Sequence, residues 1–394
     1  MTIRFLTAGE SHGEALVVIL EGLPAGLQIN ESTLHKELQR RQTGFGSGGR
    51  MKIEHDRARI LSGVLAGVTT GAPIALWIEN KDHSKWKAKA VNAFTTPRPG
   101  HGDLTGTVKY GYNDLRPALE RASARETAAR VAMGAICKAL LAEFDIRVGG
   151  YVSAIGAISA NLDHLDIEKR AALAEENDLR CPDPQAAESM RNRIREIMNA
   201  GDTLGGIIEI VALGLPVGLG SFAQWDLRLD ARLGAALLSI PAVKGVEIGP
   251  AFENSRLPGT QVHDAIHLKE GEIVRETNRA GGLEGGITNG QPLLMRAAMK
   301  PIATTLAAQK TIDLFTQKET ETVYERSDFC PVPRAVPIAE AMVAFVLTNA
   351  LLEKLGGDSL DEMKPRFAAL RNASLKDLNM TGGQILFWPD QEGI

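Results

Sequence analysis

The clearest alternation of apolar and polar positions runs from Arg147 to Ile158 and predicts a strand. Short apolar runs predict further strands at Ala15–Leu20, Arg59–Leu65 and Pro73–Glu79. The first precedes a turn at Leu23-Pro24-Ala25-Gly26, and the last closes at Asn80. Helices are expected at about Ser32–Arg41, at Pro117–Phe144 with a proline in the first turn, and at Asp166–Glu175, Pro184–Ala200 and Asp230–Leu238. A glycine-rich strand pair is expected at Gly205–Leu213 and after Pro216, and Leu293–Ala298 reads as extended. The most apolar helix, Pro337–Leu355, stops at Gly356-Gly357, where a helix C-terminus favours glycine. Strands and helices mix without regular β-α-β alternation. That pattern predicts an α+β fold rather than a doubly wound parallel sheet.

Composition narrows the class. Of 394 residues, 44% are hydrophobic, enough for a sizeable core. No Ser/Pro-rich tract or short repeat divides the chain, so one domain over residues 1–394 is expected. A formal net charge of −4 and 5% aromatics argue against a nucleic-acid or anionic-membrane partner. Cys137, Cys181 and Cys330 lie far apart and read as reduced thiols. The opening Met1-Thr2-Ile3-Arg4-Phe5-Leu6 has no leader pattern, and no stretch approaches the roughly 20 apolar residues of a membrane span, so a cytoplasmic protein is expected.

Candidate chemistry sits in a few segments. Gly9-Glu10-Ser11-His12-Gly13 places a carboxylate, a hydroxyl and an imidazole between two glycines, and imidazole suits proton transfer near neutral pH. Gly44-Phe45-Gly46-Ser47-Gly48-Gly49 has the letters of a dinucleotide fingerprint but follows a helix instead of a strand. Flanked by Arg40, Arg41 and Arg50, it reads as a loop that closes on an anion or as a solvated basic loop. Arg121 and Arg125, four apart on the expected long helix, share a face near its N-terminal end. They suit an anion, or an ion-pair set with Glu120, Glu126 and Arg130. His101 lies in the stiff turn Arg98-Pro99-Gly100-His101-Gly102-Asp103, and Asp328 follows Arg326 by two. Each is a proton-handling candidate or an ordinary surface residue. His263 and His267 lack a third ligand, so no metal site is expected. Walker, nucleophile-elbow and Cys-x-x-Cys patterns are absent.

Taken in order, these segments resemble the chorismate synthase family nearly end to end. The resemblance rests on Thr7 to Gly13, Arg98 to His101, Glu120 to Thr127, Val243-Lys244-Gly245-Val246-Glu247-Ile248-Gly249, Gly285-Gly286-Ile287-Thr288-Asn289-Gly290, Lys300-Pro301-Ile302 and Arg326-Ser327-Asp328. It implies a single β-α-β sandwich, with helices between antiparallel sheets, assembled as a homotetramer. It implies 1,4-anti elimination of phosphate from 5-enolpyruvylshikimate-3-phosphate, giving chorismate with reduced FMN and no net redox change. By resemblance, His12 donates a proton to the leaving phosphate, His101 protonates the flavin, and Asp328 assists removal of the ring hydrogen. The flavin positions are Arg121, Ala122, Ser123, Ala242, Gly285, Lys300, Pro301, Ile302, Ala303, Thr304 and Arg326. The substrate positions are Ser11, Arg41, Arg50 and Arg125. Ser47 stands where many bacterial relatives carry arginine, and the stretch between Trp86 and Thr96 is short for the family. Two other functions fit the same residues: an NAD(P)H-dependent flavin reductase, and a non-catalytic FMN- or anion-binding protein. No nicotinamide site is marked, so a synthase supplied with reduced FMN is expected.

Overall fold

The computed structural model describes residues 2–48, 55–325 and 327–385. Strand β1 (Arg4–Ala8) pairs with β2 (Ala15–Glu21), β2 with β6 (Ile74–Glu79), and β6 with β3 (Ala58–Ile60), all antiparallel. The register sets Leu16 against Ile78, Val18 against Leu76 and Leu20 against Ile74. Side chains alternate across a sheet, so these six fall on one face, and all are fully buried. A second antiparallel sheet runs β10 (Val243–Ile248), β15 (Leu293–Met299), β9 (Gly206–Leu213), β7 (Arg147–Ile155), β8 (Ile158–Ser159). Among the described residues, four hairpins decorate this frame: β4–β5 (Val64–Leu65, Val68–Thr69), β11–β12 (Ile266–Lys269, Glu272–Arg275), β13–β14 (Leu283–Glu284, Ile287–Thr288) and β16–β17 (Lys310–Asp313, Lys318–Glu321).

Helices fill the space between the sheets. Helix α4 (Thr127–Ala142) packs on β2 and β6, and α10 (Val332–Leu355) packs on α4, β7 and β9. Helix α1 (Glu31–Gln42) lies against both helices, and α7 (Leu229–Leu238) against α10 and β10. A Cβ on Gly134 of α4 would come within 2.2 Å of the Cβ of Ala341, so glycine lets α4 and α10 approach closely. Helix α10 is apolar on all sides because the middle layer surrounds it. It is long and apolar enough to cross a membrane, with 89% of its apolar window buried inside the protein. The remaining helices are α2 (Asp103–Tyr110), α3 (Arg116–Ala122), α5 (Ile167–Ala174), α6 (Pro184–Ala200), α8 (Ala251–Asn254), α9 (Gly259–Val262) and α11 (Leu360–Ala368). The expected α+β class holds.

Several expectations need correction. The helix read at Pro117–Phe144 is broken. Helix α3 ends at Ser123, which is extended (φ −65°, ψ 138°), and a short 3₁₀ turn, Ala124–Glu126, leads into α4. The Ser123 hydroxyl accepts from Arg125 N, so a local side-chain bond replaces helical pairing. Arg121 and Arg125 therefore do not share a face: Arg121 is exposed and Arg125 is buried. The strand read at Arg59–Leu65 breaks before Gly63, whose φ of +79° is in the left-handed region. The chain after Pro216 forms no strand; it has left-handed glycines at Gly218 and Gly220 and one isolated bridge to Ile287. The apolar helix begins five residues early, at Val332, because a proline at the first turn loses no helical bond. His263 and His267 fall on different elements, at the end of α9 and in β11.

Candidate active site

A cavity of about 370 Å³ opens beside the helical layer. Helix α1 brings Arg41 to its wall, where Nε donates to Thr127 Oγ1 (3.0 Å) and Nη2 to the Ala124 carbonyl (2.9 Å). The break at Ser123 turns Arg125 inward. Its Nη1 lies 2.6 Å from Asp56 Oδ1, its Nε donates to Asn80 Oδ1 (2.8 Å), and its Nη2 to the Glu79 carbonyl (3.2 Å). Arg41 Nη1 approaches the other Asp56 oxygen at 3.4 Å, so two buried guanidinium groups share one carboxylate. Burial pushes the Arg41 guanidinium down to about 9. Asp56 opposes that shift, and the nearby cations Arg334 and Arg125 add to it. An anion in the cavity relieves this repulsion.

The glycine loop meets the chain end of the cavity through Asp328. Gly48 N donates to Asp328 Oδ1 (2.7 Å), Arg334 of α10 pairs with Oδ2, and Arg334 Nε donates to the Arg41 carbonyl (3.0 Å). A Cβ on Gly48 would fall 2.2 Å from the Ser327 carbonyl oxygen, so only glycine permits this docking. The Ser47 hydroxyl donates to the Gly44 carbonyl and tightens the same turn.

Two histidines, His12 and His101, line the cavity. His12 Nδ1 lies 2.6 Å from Glu120 Oε1, while His12 N donates to Oε2 (2.7 Å). Its ring packs on Trp86, centroid to centroid 4.5 Å. His101 Nδ1 lies 2.7 Å from Oδ1 of Asp103, which is fully buried. Burial alone would raise the Asp103 carboxyl. Hydrogen bonds from Arg98 and His101 and the Arg98 charge hold it well below the usual carboxylate range. Arg98 donates through Nε to Asp103 Oδ2 (2.8 Å), through Nη2 to Oδ1 (2.9 Å), and through Nη1 to Thr304 Oγ1 (3.0 Å).

Most of the expected site residues come together. Ser11, His12, Arg41, His101, Ala122, Ser123, Arg125, Ala242, Lys300, Ile302, Ala303, Thr304 and Asp328 all line the cavity. Ser123 Oγ donates to Ser11 Oγ (3.1 Å), and Lys300 Nζ to the Gly100 carbonyl (2.9 Å). Ala242 is held at φ +69°, a left-handed conformation rare for alanine. Arg121 points elsewhere, donating to Thr7 O (3.1 Å) and Thr7 Oγ1 (3.0 Å). It lines an adjoining hollow of about 480 Å³ that shares Ala122, Ser123 and Pro241 with the cavity. Pro301 is not on the wall, and Gly285 lies in the β13–β14 turn against Phe222, away from the cavity. Arg50 and Arg326 lie outside the described residues. The site also uses residues to which the sequence reading gave no role: Asp56, Trp86, Arg98, Asp103 and Arg334. Arg98 and Asp103 flank the His101 motif, and that spacing was the available signal. Among the described residues no cluster of His, Cys, Asp and Glu could hold a metal ion.

Five cations (Arg41, Arg98, Arg125, Lys300 and Arg334) and two carboxylate-backed imidazoles around one cavity mark an enzyme built for a multiply anionic ligand and proton transfer. The family model described as chorismate synthase matches residues 3–352. A chorismate synthase of Syntrophotalea carbinolica is 50% identical over 376 residues, covering 93% of this chain and 97% of its own. One from Aquifex aeolicus is 50% identical over 383 residues, covering 93% and 96%. A crystal structure of a chorismate synthase superposes with a TM-score of 0.77 at 44% identity, covering 93% of this chain and 97% of that one. The chain belongs to the chorismate synthase family. That membership makes it a lyase of the shikimate pathway.

Proposed function

We propose that this cavity eliminates phosphate from 5-enolpyruvylshikimate-3-phosphate in the 1,4-anti sense, giving chorismate, with reduced FMN as a participant that is not consumed. The carrying observation is the pairing of a concentrated cationic wall with two backed imidazoles. The substrate has two carboxylates and a phosphate, and charge on a departing phosphate needs neutralising and a proton. Arg41 and Arg125 bind anionic groups of the substrate with Ser11 beside them, and Arg50 joins them in this reading. His12 delivers the proton to the leaving phosphate.

The wall suits a flavin as well. Ala122, Ala242, Ile302 and Ala303 offer apolar surface beside Lys300, Ser123 and Thr304, in a volume of the size small-molecule sites use. These residues would hold FMN, with Arg121 of the adjoining hollow and Arg326 as further contacts in this reading, whereas Pro301 and Gly285 lie off this wall. Reduced FMN, when bound, lends electron density to the substrate transiently and recovers it. His101 holds a proton for the flavin side of the cavity. Asp328 assists removal of the ring hydrogen. Both of its oxygens are engaged, by Gly48 N and Arg334, so this role requires one partner to let go.

The reading also includes a homotetramer in the cytoplasm. Support for assembly comes from apolar side chains left outside, among them Leu6 at 63% and Trp225 at 78% exposure. Light scattering that returns the mass of a single chain would remove that part.

The test is an anaerobic assay of the purified protein with substrate and chemically reduced FMN. Equal release of chorismate and phosphate, with FMN still reduced at the end, is the expected result. Oxidation of NADPH by the protein with FMN would favour the flavin-reductase reading. FMN binding without product would favour the non-catalytic binder.

A further inference from the structure

Each of the two histidines that line the cavity has one ring nitrogen engaged. That nitrogen, Nδ1, faces a carboxylate: Glu120 for His12 at 2.6 Å, and Asp103 for His101 at 2.7 Å. Neither Nε2 has a hydrogen-bond partner among the described residues. An ionised carboxylate only accepts hydrogen bonds, so a contact this short requires a proton on Nδ1. Glu120 adds a second constraint, because its other oxygen takes the backbone N–H of His12 itself and fixes ring and backbone together. At His101 the alternative fails on local grounds. Arg98 Nη2 lies 3.0 Å from Nδ1 and could donate to it. That would set a bare Nδ1 lone pair against Asp103 Oδ1, to which Arg98 Nη2 already donates.

We propose that Glu120 and Asp103 are positioning residues that keep His12 and His101 protonated at Nδ1, so that each ring exchanges its proton with the cavity's ligand at Nε2 alone. When a proton leaves Nε2, the Nδ1 proton stays in its bond to the carboxylate and the neutral ring remains the Nδ1–H tautomer. Neither carboxylate lines the cavity. Each acts through its imidazole, and the proposal rests on reading the cavity as catalytic.

The decisive variant is Glu120→Gln. With its NH₂ on one side, an amide accepts from only one of the two His12 donors that Glu120 serves. Turned to keep the His12 N–H, it offers its own NH₂ to Nδ1 and drives the ring proton to Nε2. Magic-angle-spinning ¹⁵N spectra of the histidine-labelled protein at about pH 8.5, roughly two units above the value of a free imidazole, report the tautomer directly. His12→Gln and His101→Gln identify the two signals. The wild type is expected to show both rings as Nδ1–H. Glu120→Gln should shift the His12 signal alone and lower kcat about 10²-fold with KM little changed. Asp103→Asn should do the same through His101. Glu120→Asp, which keeps the carboxylate, should restore the Nδ1–H signal and part of the turnover. Wild-type rings in the Nε2–H form overturn the proposal, as does Glu120→Gln with unaltered spectrum and kcat. If Glu120→Gln does not fold, the wild-type and Glu120→Asp spectra decide. A wild type that makes no chorismate defeats the functional reading instead, and the tautomers remain readable.

Discussion

Arg40 and Arg41 are neighbours on α1, yet they serve opposite ends. Arg40 turns into a closed ionic cluster between helices. It forks onto Glu340 (2.6 and 2.9 Å) and reaches Glu175 (2.7 Å), while Lys138 also pairs with Glu340 and lies 2.8 Å from Glu37. Arg180 completes the set, with Glu175 at 3.0 Å and hydrogen bonds to the Arg40, Thr43 and Pro333 carbonyls. Three cations meet three carboxylates. Arg41, one residue on, shares Asp56 with Arg125 and stands beside Arg334. Burial opposes the charge of both. For Arg40 the surrounding carboxylates, Glu340 foremost, more than restore it; for Arg41 they do not. A cluster that neutralises itself holds helices together. One left short of negative charge waits for a ligand.

Breaking the closed cluster should cost the most. Glu340→Ala removes the fully buried carboxylate that Arg40 and Lys138 share and leaves them Glu37 and Glu175 at the margin of the cluster; it should lower stability by about 3–5 kcal/mol, read by urea unfolding. Burial would raise the Glu340 carboxyl, but Lys138 and Arg40 hold it down at about 2. Its contribution is thus complete above its ordinary value of 4.5 and is lost as pH falls towards about 2. Wild-type stability should slope downward across that window more steeply than that of Glu340→Ala. On the other side of α1, His12→Ala should lower turnover about 10²-fold or more while the melting temperature stays close to wild type. A similar loss is expected for His101→Ala and Asp328→Ala. Arg41→Lys keeps the charge but cannot reach Thr127, Ala124 and Asp56 together. It should raise the substrate KM about 10-fold. The smallest effect is expected for Ser47→Arg, which adds a cation to the loop over the cavity and should lower KM by less than about 10-fold. Unchanged KM would show that the loop's own charge is irrelevant. A large stability loss in Arg41→Lys, with KM unmoved, would erase the distinction between the two arginines.

Which arginine faces which network was not legible in the chain. Consecutive basic residues look alike in one dimension, and their partners Asp56, Glu340 and Arg334 are placed by long-range packing. The break at Ser123 was hidden for a related reason. The run through Arg121 and Arg125 reads as continuous helix, and a single serine hydroxyl redirects it. The sheets were legible where a short apolar run fills a buried strand, as in Pro73–Glu79, and obscure at the edge strand β1, whose pairing needs β2. The chemistry was easier to see than the geometry. His12 and His101 announced themselves by residue type and glycine neighbours, and Asp328 by standing two residues after Arg326, whereas Asp103 and Trp86 matter only through what they touch.

The place of α10 in the middle layer has a consequence for the order of folding. The first sheet is complete by residue 79, but α10, which fills the space between the two sheets, begins at Val332. During synthesis at about 5–20 residues per second, the intervening chain takes tens of seconds to appear. Through that interval α4 covers the first sheet, but the inner face of the second, as its strands appear, lacks α10 and stays open to wrong partners. Closure therefore depends on contacts of high sequence separation, which form slowly. A chain interrupted shortly before Val332 would carry every described strand of both sheets and have α4 to cover the first, but would leave the second without the helix that packs on β7 and β9.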